Sequence, residues 1–342
     1  MTKHQSINET PDHELSFADF EALSDEELDA YLSKHEDSVS LQVDSNFKSG
    51  FVALIGRPNA GKSTLLNACM GQRIAITSPV AQTTRRRMRA VINRPNTQIV
   101  IVDTPGLHKP KDGLGTELNR VALAEIQDVD VIAFVVDASA PFGRGDEWVA
   151  KHLAHTHAYK LLVLTKADKV GSTEIEAQIS AARSVIAFDE VLVVSAHVGF
   201  NVESFVQLVT EHLPSGPKWF PEDMDTDEPD EMLVAEFIRE KVLLRTSEEI
   251  PHSVGVLCNT LEAGKHGLLR INATIFVERE GQKGILIGKK GAMIKRLGSE
   301  AREDLERLFN RRVFLELSVK VKPHWRDSAR DIRLFGYSLE DE

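Results

Sequence analysis

Cysteine is scarce in this chain of 342 residues: only Cys69 and Cys258 are present. They fall in what read as different domains, which excludes a disulfide framework and fits a reducing, cytoplasmic setting. No apolar run approaches the ~18 residues that would span a bilayer. The opening residues, MTKHQSINETPDHELSF, hold neither a basic start before an apolar stretch nor a small-residue cleavage site. No secretion leader is therefore expected. A hydrophobic share of 42% and a charged share of 27% describe a globular chain, and its length allows two domains at ~150 residues each.

The net charge of −11 is unevenly spread. Residues 1–47 hold 12 acidic side chains against Lys3 and Lys34, a local −10 that accounts for nearly all of it. Residues 283–333 hold 14 Lys and Arg against 7 Asp and Glu, a local +7. Nucleic acid responds to local density of one sign, so the basic C-terminal region matters more than the overall charge. The acidic extension 1–47 contains Phe17, Phe20, Leu23, Leu28 and Leu32 at near-helical spacing. So charged a segment buries little apolar surface alone, and it reads as mostly disordered with one transient helix.

From Phe51 the pattern becomes apolar runs alternating with amphipathic stretches. FVALI (51–55), TQIVIVD (97–103), VIAFVVDA (131–138), KLLVLT (160–165) and VLVVSA (191–196) read as strands. Helical stretches lie near 62–71, 115–127, 146–154, 174–187 and 201–212. This alternation predicts an α/β domain over 48–213, with a mostly parallel sheet and helices on both faces. Residues 214–230 carry four prolines and six acidic residues and read as a linker. A smaller α+β domain is expected over 231–337, followed by a short tail, 338–342. There is no internal repeat.

The segment GRPNAGKS follows the first strand and opens a helix, satisfying G-x-x-x-x-G-K-[ST] at every fixed position. Its glycines let backbone N–H groups converge on phosphate oxygens, and the helix N-terminus adds a favourable field. The expected nucleotide contacts are Gly56, Arg57, Pro58, Asn59, Ala60, Gly61, Lys62, Ser63 and Thr64. Lys62 would reach the β- and γ-phosphates, and Ser63 would give a hydroxyl to Mg²⁺. DTPG ends the strand 97–103. Asp103 there can hold the Mg²⁺ shell, and Gly106 can offer an N–H to the γ-phosphate. Thr104, Pro105 and Leu107 complete that loop. D-x-x-G alone also describes ordinary turns; its position after the P-loop and at a strand end is what gives it meaning.

TKAD, comprising Thr165, Lys166, Ala167 and Asp168, follows the strand 160–165. A carboxylate accepts two hydrogen bonds from the N1–H and amine of guanine, a donor pair that adenine lacks. That favours GTP over ATP and argues against a kinase or helicase. Lys166 can pack over the base, while Thr165 stands where Asn is more common, which predicts one weaker loop-bracing contact. In SAH, the backbone N–H of Ala196 is the useful group, flanked by Ser195 and by His197 where Lys is common. Between the P-loop helix and the next strand lies AQTTRRRMR (81–89), the place for a switch built on Gln82, Thr83, Thr84, Arg85 and Arg86. Thr84 is taken as the hydroxyl that completes the Mg²⁺ shell, with Thr83 as the rival. The arginines there fit phosphates, RNA or nearby acids, and equally a solvated face. Ser63, Thr84 and Asp103 are thus the metal candidates; Lys62, Thr84, Asp103 and Gly106 are the catalytic ones.

In the C-terminal domain, ILIGKKGAMIKRL places a G-x-x-G turn between apolar helix ends, the pattern of a KH module that clamps about four nucleotides of single strand. Gly288, Lys289, Lys290, Gly291 and Lys295 are the candidate RNA contacts. Arg296, Lys320, Lys322 and Arg326 are rim candidates, each equally readable as solubility charge. Trp325 and RDIRLFGY can cap an RNA end, but domain packing is the plainer reading.

Taken together, GRPNAGKS, TTR, DTPG, TKAD, SA and the G-x-x-G module resemble the Era family, translation-factor-related P-loop GTPases with a C-terminal KH domain. The resemblance covers roughly 48–337 and leaves the extension 1–47 outside it. It implies GTP hydrolysis with Mg²⁺, recognition of the 3′ end of small-subunit rRNA, a role in 30S subunit assembly, and a monomeric protein. It also implies a cytoplasmic location with loose association at the inner membrane surface. Leu107 and His108 follow DTPG where Ras-like proteins place a water-orienting glutamine, so that role is vacant or differently filled. Asn59 matches the asparagine that binds K⁺ in K⁺-stimulated relatives; otherwise it only shapes the loop. The alternatives are a GTPase acting on tRNA modification or the large subunit, and an RNA-binding adaptor that does not hydrolyse.

Overall fold

The computed structural model describes residues 46–338. The expected helix within 1–47 and the residues 339–342 of the tail lie outside the described residues.

Six strands form the first sheet: β1 (Lys48–Ile55), β2 (Met88–Arg94), β3 (Thr97–Asp103), β4 (Val131–Asp137), β5 (Tyr159–Thr165) and β6 (Glu190–Val193). Their order is β2-β3-β1-β4-β5-β6, with only β2 antiparallel to its neighbour. The helices are α1 (Lys62–Met70), α2 (Gly113–Ala124), α3 (Arg144–Leu153), α4 (Ser172–Arg183) and α5 (Val202–His212). Leu65 and Leu66 of α1 pack with Phe205 and Val209 of α5 on one face of the sheet. Ala122, Val149 and Ala182 of α2, α3 and α4 cover the other face, around Ile55, Phe134 and Leu162. Burial on both faces explains why the central strands read as continuous apolar runs.

The strand β2 was not expected. Its sequence, MRAVINR, interleaves Arg89, Asn93 and Arg94 with the apolar residues, as suits a half-buried edge. Apart from Asp230, which opens the next helix, the segment 214–230 holds no helix or central strand and runs along this edge. Val91 N–H donates to Asp225 O (2.9 Å), and Gln98 accepts from the N–H groups of Trp219 and Phe220 (2.7 and 2.9 Å). The linker thereby covers unpaired groups that would otherwise face water. The last strand also stops short of the expected 191–196, because Ser195 N–H turns to Phe200 O (3.0 Å).

The second domain opens with α6 (Asp230–Arg245) and a one-turn helix, α7 (Ile250–Ser253). It continues through β7 (Gly255–Ala263), β8 (Leu269–Val277), α8 (Glu280–Ile287), α9 (Ala292–Phe309), β9 (Val313–Val321) and α10 (Ala329–Leu334). The sheet order is β7-β8-β9, antiparallel then parallel. Phe237 and Ile238 of α6, Leu286 of α8 and Leu297 of α9 close over Ile271 and Ile275. A fourth apolar cluster joins the domains: Leu114 and Leu118 of α2 meet Trp325, Ile332, Phe335 and Tyr337. The tail motif LFGY therefore serves domain packing. Arg326, a candidate for the RNA rim, is instead tied to Asp112 (2.9 Å) and Glu278 (2.8 Å).

Candidate nucleotide site and RNA groove

The loop from Gly56 to Gly61 joins β1 to α1. It lies against the turn that follows β3, where Leu107 N–H donates to Gly56 O (3.1 Å). A Cβ on Gly106 would sit 2.5 Å from Pro58 N, so no larger residue lets the two loops approach this closely. Lys62 is buried, and its ammonium donates to the carbonyls of Gly56 (3.2 Å) and Arg57 (3.1 Å). Burial pushes its pKa down to about 8, with Asp103 acting in the opposite direction. Phosphate oxygens placed here would further favour the charged form.

Ser63, Thr84 and Asp103 converge although three separate elements carry them. Ser63 Oγ donates to Asp103 Oδ2 (2.5 Å) and lies 2.9 Å from Thr84 Oγ1; Thr84 Oγ1 is 3.5 Å from the same carboxylate oxygen. Asp103 is fully buried, and its Oδ1 has no hydrogen-bond partner. Burial raises the pKa of this carboxyl, opposed by Lys62 and by the two hydroxyls. Two hydroxyls and an unpartnered carboxylate oxygen make a small, hard donor set that fits Mg²⁺, which is held by few protein oxygens together with substrate phosphates. Thr83, the rival of Thr84, points elsewhere: its hydroxyl donates to Val80 O (2.6 Å).

The surrounding cavity measures about 430 Å³ and is lined by Asn59, Lys62, Ser63, Gln82, Thr84, Gly106 and Lys166, among others. Leu244, on α6 of the second domain, also lines it. Asp168, Ser195, Ala196 and His197 are not part of the cavity lining; Lys166 connects the two regions. Its ammonium donates to Asn59 O (2.8 Å) and pairs with Asp137 (2.5 Å), bracing the P-loop. Thr165 also braces that loop, donating its hydroxyl to Ala60 O (2.5 Å). The contact expected to be weakened by threonine is thus present. Ser195 does not hold its hydroxyl free for the nucleotide: it donates to Asp168 Oδ1 (2.5 Å), orienting the carboxylate and lowering its pKa. Ala196 is half-buried and His197 is exposed.

Leu107 is buried in the core, so the position after Gly106 cannot orient water. His108 Nδ1 is 3.0 Å from Gly106 O, a carbonyl that only accepts, so Nδ1 carries the proton and Nε2 accepts from Gln82 Nε2 (2.6 Å). Gln82 and His108 thus link the two loops that flank the phosphate chamber. Asn59 Nδ2 donates to Pro79 O (2.7 Å).

The arginine run is neither a solvated face nor free for RNA. Arg85 is buried and donates to Val254 O (2.5 Å), Pro251 O (3.0 Å) and His252 O (3.1 Å), with its guanidinium over Trp325 and Tyr337. Arg86 pairs with Glu228, Arg87 with Glu125 and Arg89 with Asp227. Of the readings open from sequence, the structure selects nearby acids for these three.

In the second domain, Gly288 (φ 71°), Lys290 (φ 53°) and Gly291 (φ 78°) turn the chain between α8 and α9. A Cβ on Gly288 would lie 2.9 Å from Met293 N, so glycine is required on both counts. Lys289, Lys290 and Lys295 are exposed. Beside them a groove of about 350 Å³ runs between α9 and β9, lined by Ile294, Lys295, Gly298, Arg302, Phe314 and Leu317 among others. Phe314 and Arg302 were missed from sequence. Phe314 is 51% exposed, and an accessible aromatic in the groove that Lys295 and Arg302 line suits base stacking. The signal was the alternation VFLELSVKV, in which Phe314 falls out of step with the buried Val313 and Val319.

Residues 51–166 match a family model described as 50S ribosome-binding GTPase, and residues 249–326 match the KH domain. The crystal structure of Era in complex with MgGDPNP and nucleotides 1506–1542 of 16S ribosomal RNA is similar over both domains. Its TM-score is 0.83 at 40% identity, covering 86% of this chain and 100% of that one. This chain belongs to the Era family of GTPases. A point variant of Aquifex aeolicus Era, bound to GDP and AlF4⁻, matches with the same TM-score, identity and coverage. The Era family accounts for the pairing of a phosphate chamber with a G-x-x-G groove in one chain, and the enzyme is a GTPase.

Proposed function

We propose that this GTPase is a switch that binds the single-stranded 3′ end of small-subunit rRNA and assists assembly of the 30S subunit. The observation that carries the proposal is the groove of α9 and β9 beside GKKG, with exposed Phe314 for a base and Lys289, Lys290 and Lys295 for phosphates. Likeness to an Era structure that holds such an RNA supports the choice of target.

In the nucleotide chamber, Lys62 and the N–H of Gly106 would hold the γ-phosphate, while Asp168 would accept from guanine. Ser63, Thr84 and Asp103 would hold Mg²⁺, which when bound supplies positive charge to offset charge on the phosphate oxygens. GTP then orders 77–90 and 103–115, and loss of the γ-phosphate releases them. A K⁺ ion beside the phosphates belongs to the same reading. The Asn59 amide nitrogen is engaged with Pro79 O, which leaves its oxygen to face a cation. The family resemblance carries a monomeric state and a cytoplasmic location with contact at the inner membrane; among the described residues no helix is long and apolar enough to cross a membrane.

The test is GTP hydrolysis in K⁺ and in Na⁺, with and without an oligomer copying the 3′ end of small-subunit rRNA. That RNA should stimulate turnover, and Gly288→Asp should abolish the stimulation. K⁺ dependence should disappear in Asn59→Ala. RNA that binds without changing turnover would refute the switch, and equal stimulation by unrelated RNA would refute the choice of target.

A further inference from the structure

Thr84 sits in the middle of a segment that its own domain holds through Asn59 to Pro79 O and Gln82 to His108. The second domain grips that segment on both sides. Upstream, Glu240 of α6 accepts from Thr77 N–H (2.9 Å) and pairs with Arg73, which also reaches Asp304 of α9 (2.7 Å). Downstream, Arg85 is seated in the carbonyls around α7. Between these anchors, one contact lies directly next to Thr84: Arg239 Nη2 donates to Thr83 O.

Arg239 is fully buried and its direction is fixed. Its Nε and Nη2 make a two-pronged contact with Glu236 Oε1 (2.8 Å) and Oε2 (2.5 Å). The second proton of Nη2 is then aimed at Thr83 O. Only a planar guanidinium offers a carboxylate fork and a further donor in one rigid frame; an ammonium lacks that geometry. The peptide that joins Thr83 to Thr84 is thus held from the second domain. The Thr84 hydroxyl lies 2.9 Å from Ser63 Oγ.

We infer that Arg239 is a positioning residue for GTP hydrolysis, supplied by the KH domain to hold Thr84 where it meets Mg²⁺ and the γ-phosphate. The inference rests on the reading of Thr84 as the hydroxyl that completes the Mg²⁺ shell. It assigns the second domain a part in the nucleotide chemistry besides RNA binding. GDP has no γ-phosphate and makes no demand on Thr84, so the effect should separate the two nucleotides.

The experiment uses the full chain and five variants: Arg239→Lys, Glu236→Gln, Thr84→Ala, the double Thr84→Ala/Arg239→Lys and a control, Arg245→Ala. Affinities for GDP and for a non-hydrolysable GTP analogue are measured by fluorescence, together with kcat. Arg239→Lys should lose about tenfold or more in analogue affinity and in kcat, the scale of one charge-assisted hydrogen bond, while GDP affinity stays put. Glu236→Gln, which removes the carboxylate that aims Arg239, should give the same pattern more weakly and serves if Arg239→Lys does not fold. The double variant should be no worse than Thr84→Ala, because both act through one hydroxyl. Arg245→Ala, on the exposed face of the same helix, is the control and should leave the ratio of affinities unchanged. Equal loss for GDP and analogue, or additive losses in the double variant, would overturn the inference. So would an impaired Thr84→Ala beside an intact Arg239→Lys and Glu236→Gln. A fully active Thr84→Ala would instead bring down the reading of Thr84, and the inference with it.

Discussion

Replacing Arg85 by Met tests whether the docking of the two domains depends on a buried charge. The side chain leaves water almost completely, being 1% exposed, and faces three carbonyls but no directly bonded carboxylate. Its pKa is pushed down to about 10 from 12.5, first by burial and then by the neighbouring charge of Arg239. That displacement corresponds to a penalty of roughly 3 kcal/mol on the charged form. Methionine keeps the aliphatic stem and removes the penalty. It also leaves the carbonyls of Pro251, His252 and Val254 without donors, at about 1–3 kcal/mol each. Across that range the lost bonds equal or exceed the relieved penalty, and the central expectation is a net loss of about 3 kcal/mol. The loss falls on domain docking, since neither domain's core contains the guanidinium. In calorimetry the wild-type chain should unfold in one transition, and Arg85→Met should split it in two, with the linker 214–230 more open to protease. A variant as stable as wild type, or more so, would show that the three carbonyl contacts do not outweigh desolvation, and the reasoning would fail.

Two further outcomes follow from the site and the linker. Asp168→Asn exchanges one acceptor for a donor and should weaken GTP binding by about a hundredfold or more while favouring xanthosine triphosphate, whose base carries a carbonyl in place of the amine; competition binding checks it, and an unchanged preference for guanine would sink the base assignment. Glu228 is pushed up to about 7 by burial, with Arg86 opposing. It pairs with Arg86 at 2.8 Å, but Oε1 has no well-aligned hydrogen bond. A carboxyl whose folded pKa lies above its unfolded value gives stability that is fully present below about 4.5 and lost as the pH rises to about 7, roughly 3 kcal/mol in all. Glu228→Gln should flatten that slope in denaturant titrations between pH 4.5 and 7, and an unaltered slope would reject the account.

The strands around the nucleotide were legible because the sheet is buried on both faces, so each central strand is an unbroken apolar run such as TQIVIVD. The P-loop, DTPG and TKAD were legible because phosphate and guanine binding demand fixed residue types at fixed local spacing. What sequence did not show was the destination of charge. From sequence Arg85 fits phosphates, RNA, nearby acids or solvent alike, until Val254, 169 positions away, meets it. In α6, Glu236, Arg239, Glu240 and Lys241 are all buried, with Lys241 and Arg73 both paired to Asp304 of α9, and no local pattern announces that burial. Strand β2 escaped for a related reason: Arg89 pairs with Asp227 of the linker and Arg94 with Glu203 of α5, and no local pattern announces such partners.

The chemistry of this interface bears on how it works. Apolar side chains of similar volume would dock two domains as firmly as buried ion pairs, often more so, because they avoid the cost of desolvation. Leu114, Leu118, Trp325 and Phe335 supply that kind of contact at one end. The other end is built from directional groups that reach specific backbone atoms, Glu240 to Thr77 N and Arg239 to Thr83 O. Apolar packing fixes position loosely along a surface; a hydrogen bond to a chosen peptide fixes which residue faces the nucleotide. Nucleotide can influence domain docking through residues that touch both, and Thr83–Thr84–Arg85 is one such stretch, beside Thr77 and Leu244. Its middle residue faces Ser63 and Asp103, while the two flanking ones are held by the second domain.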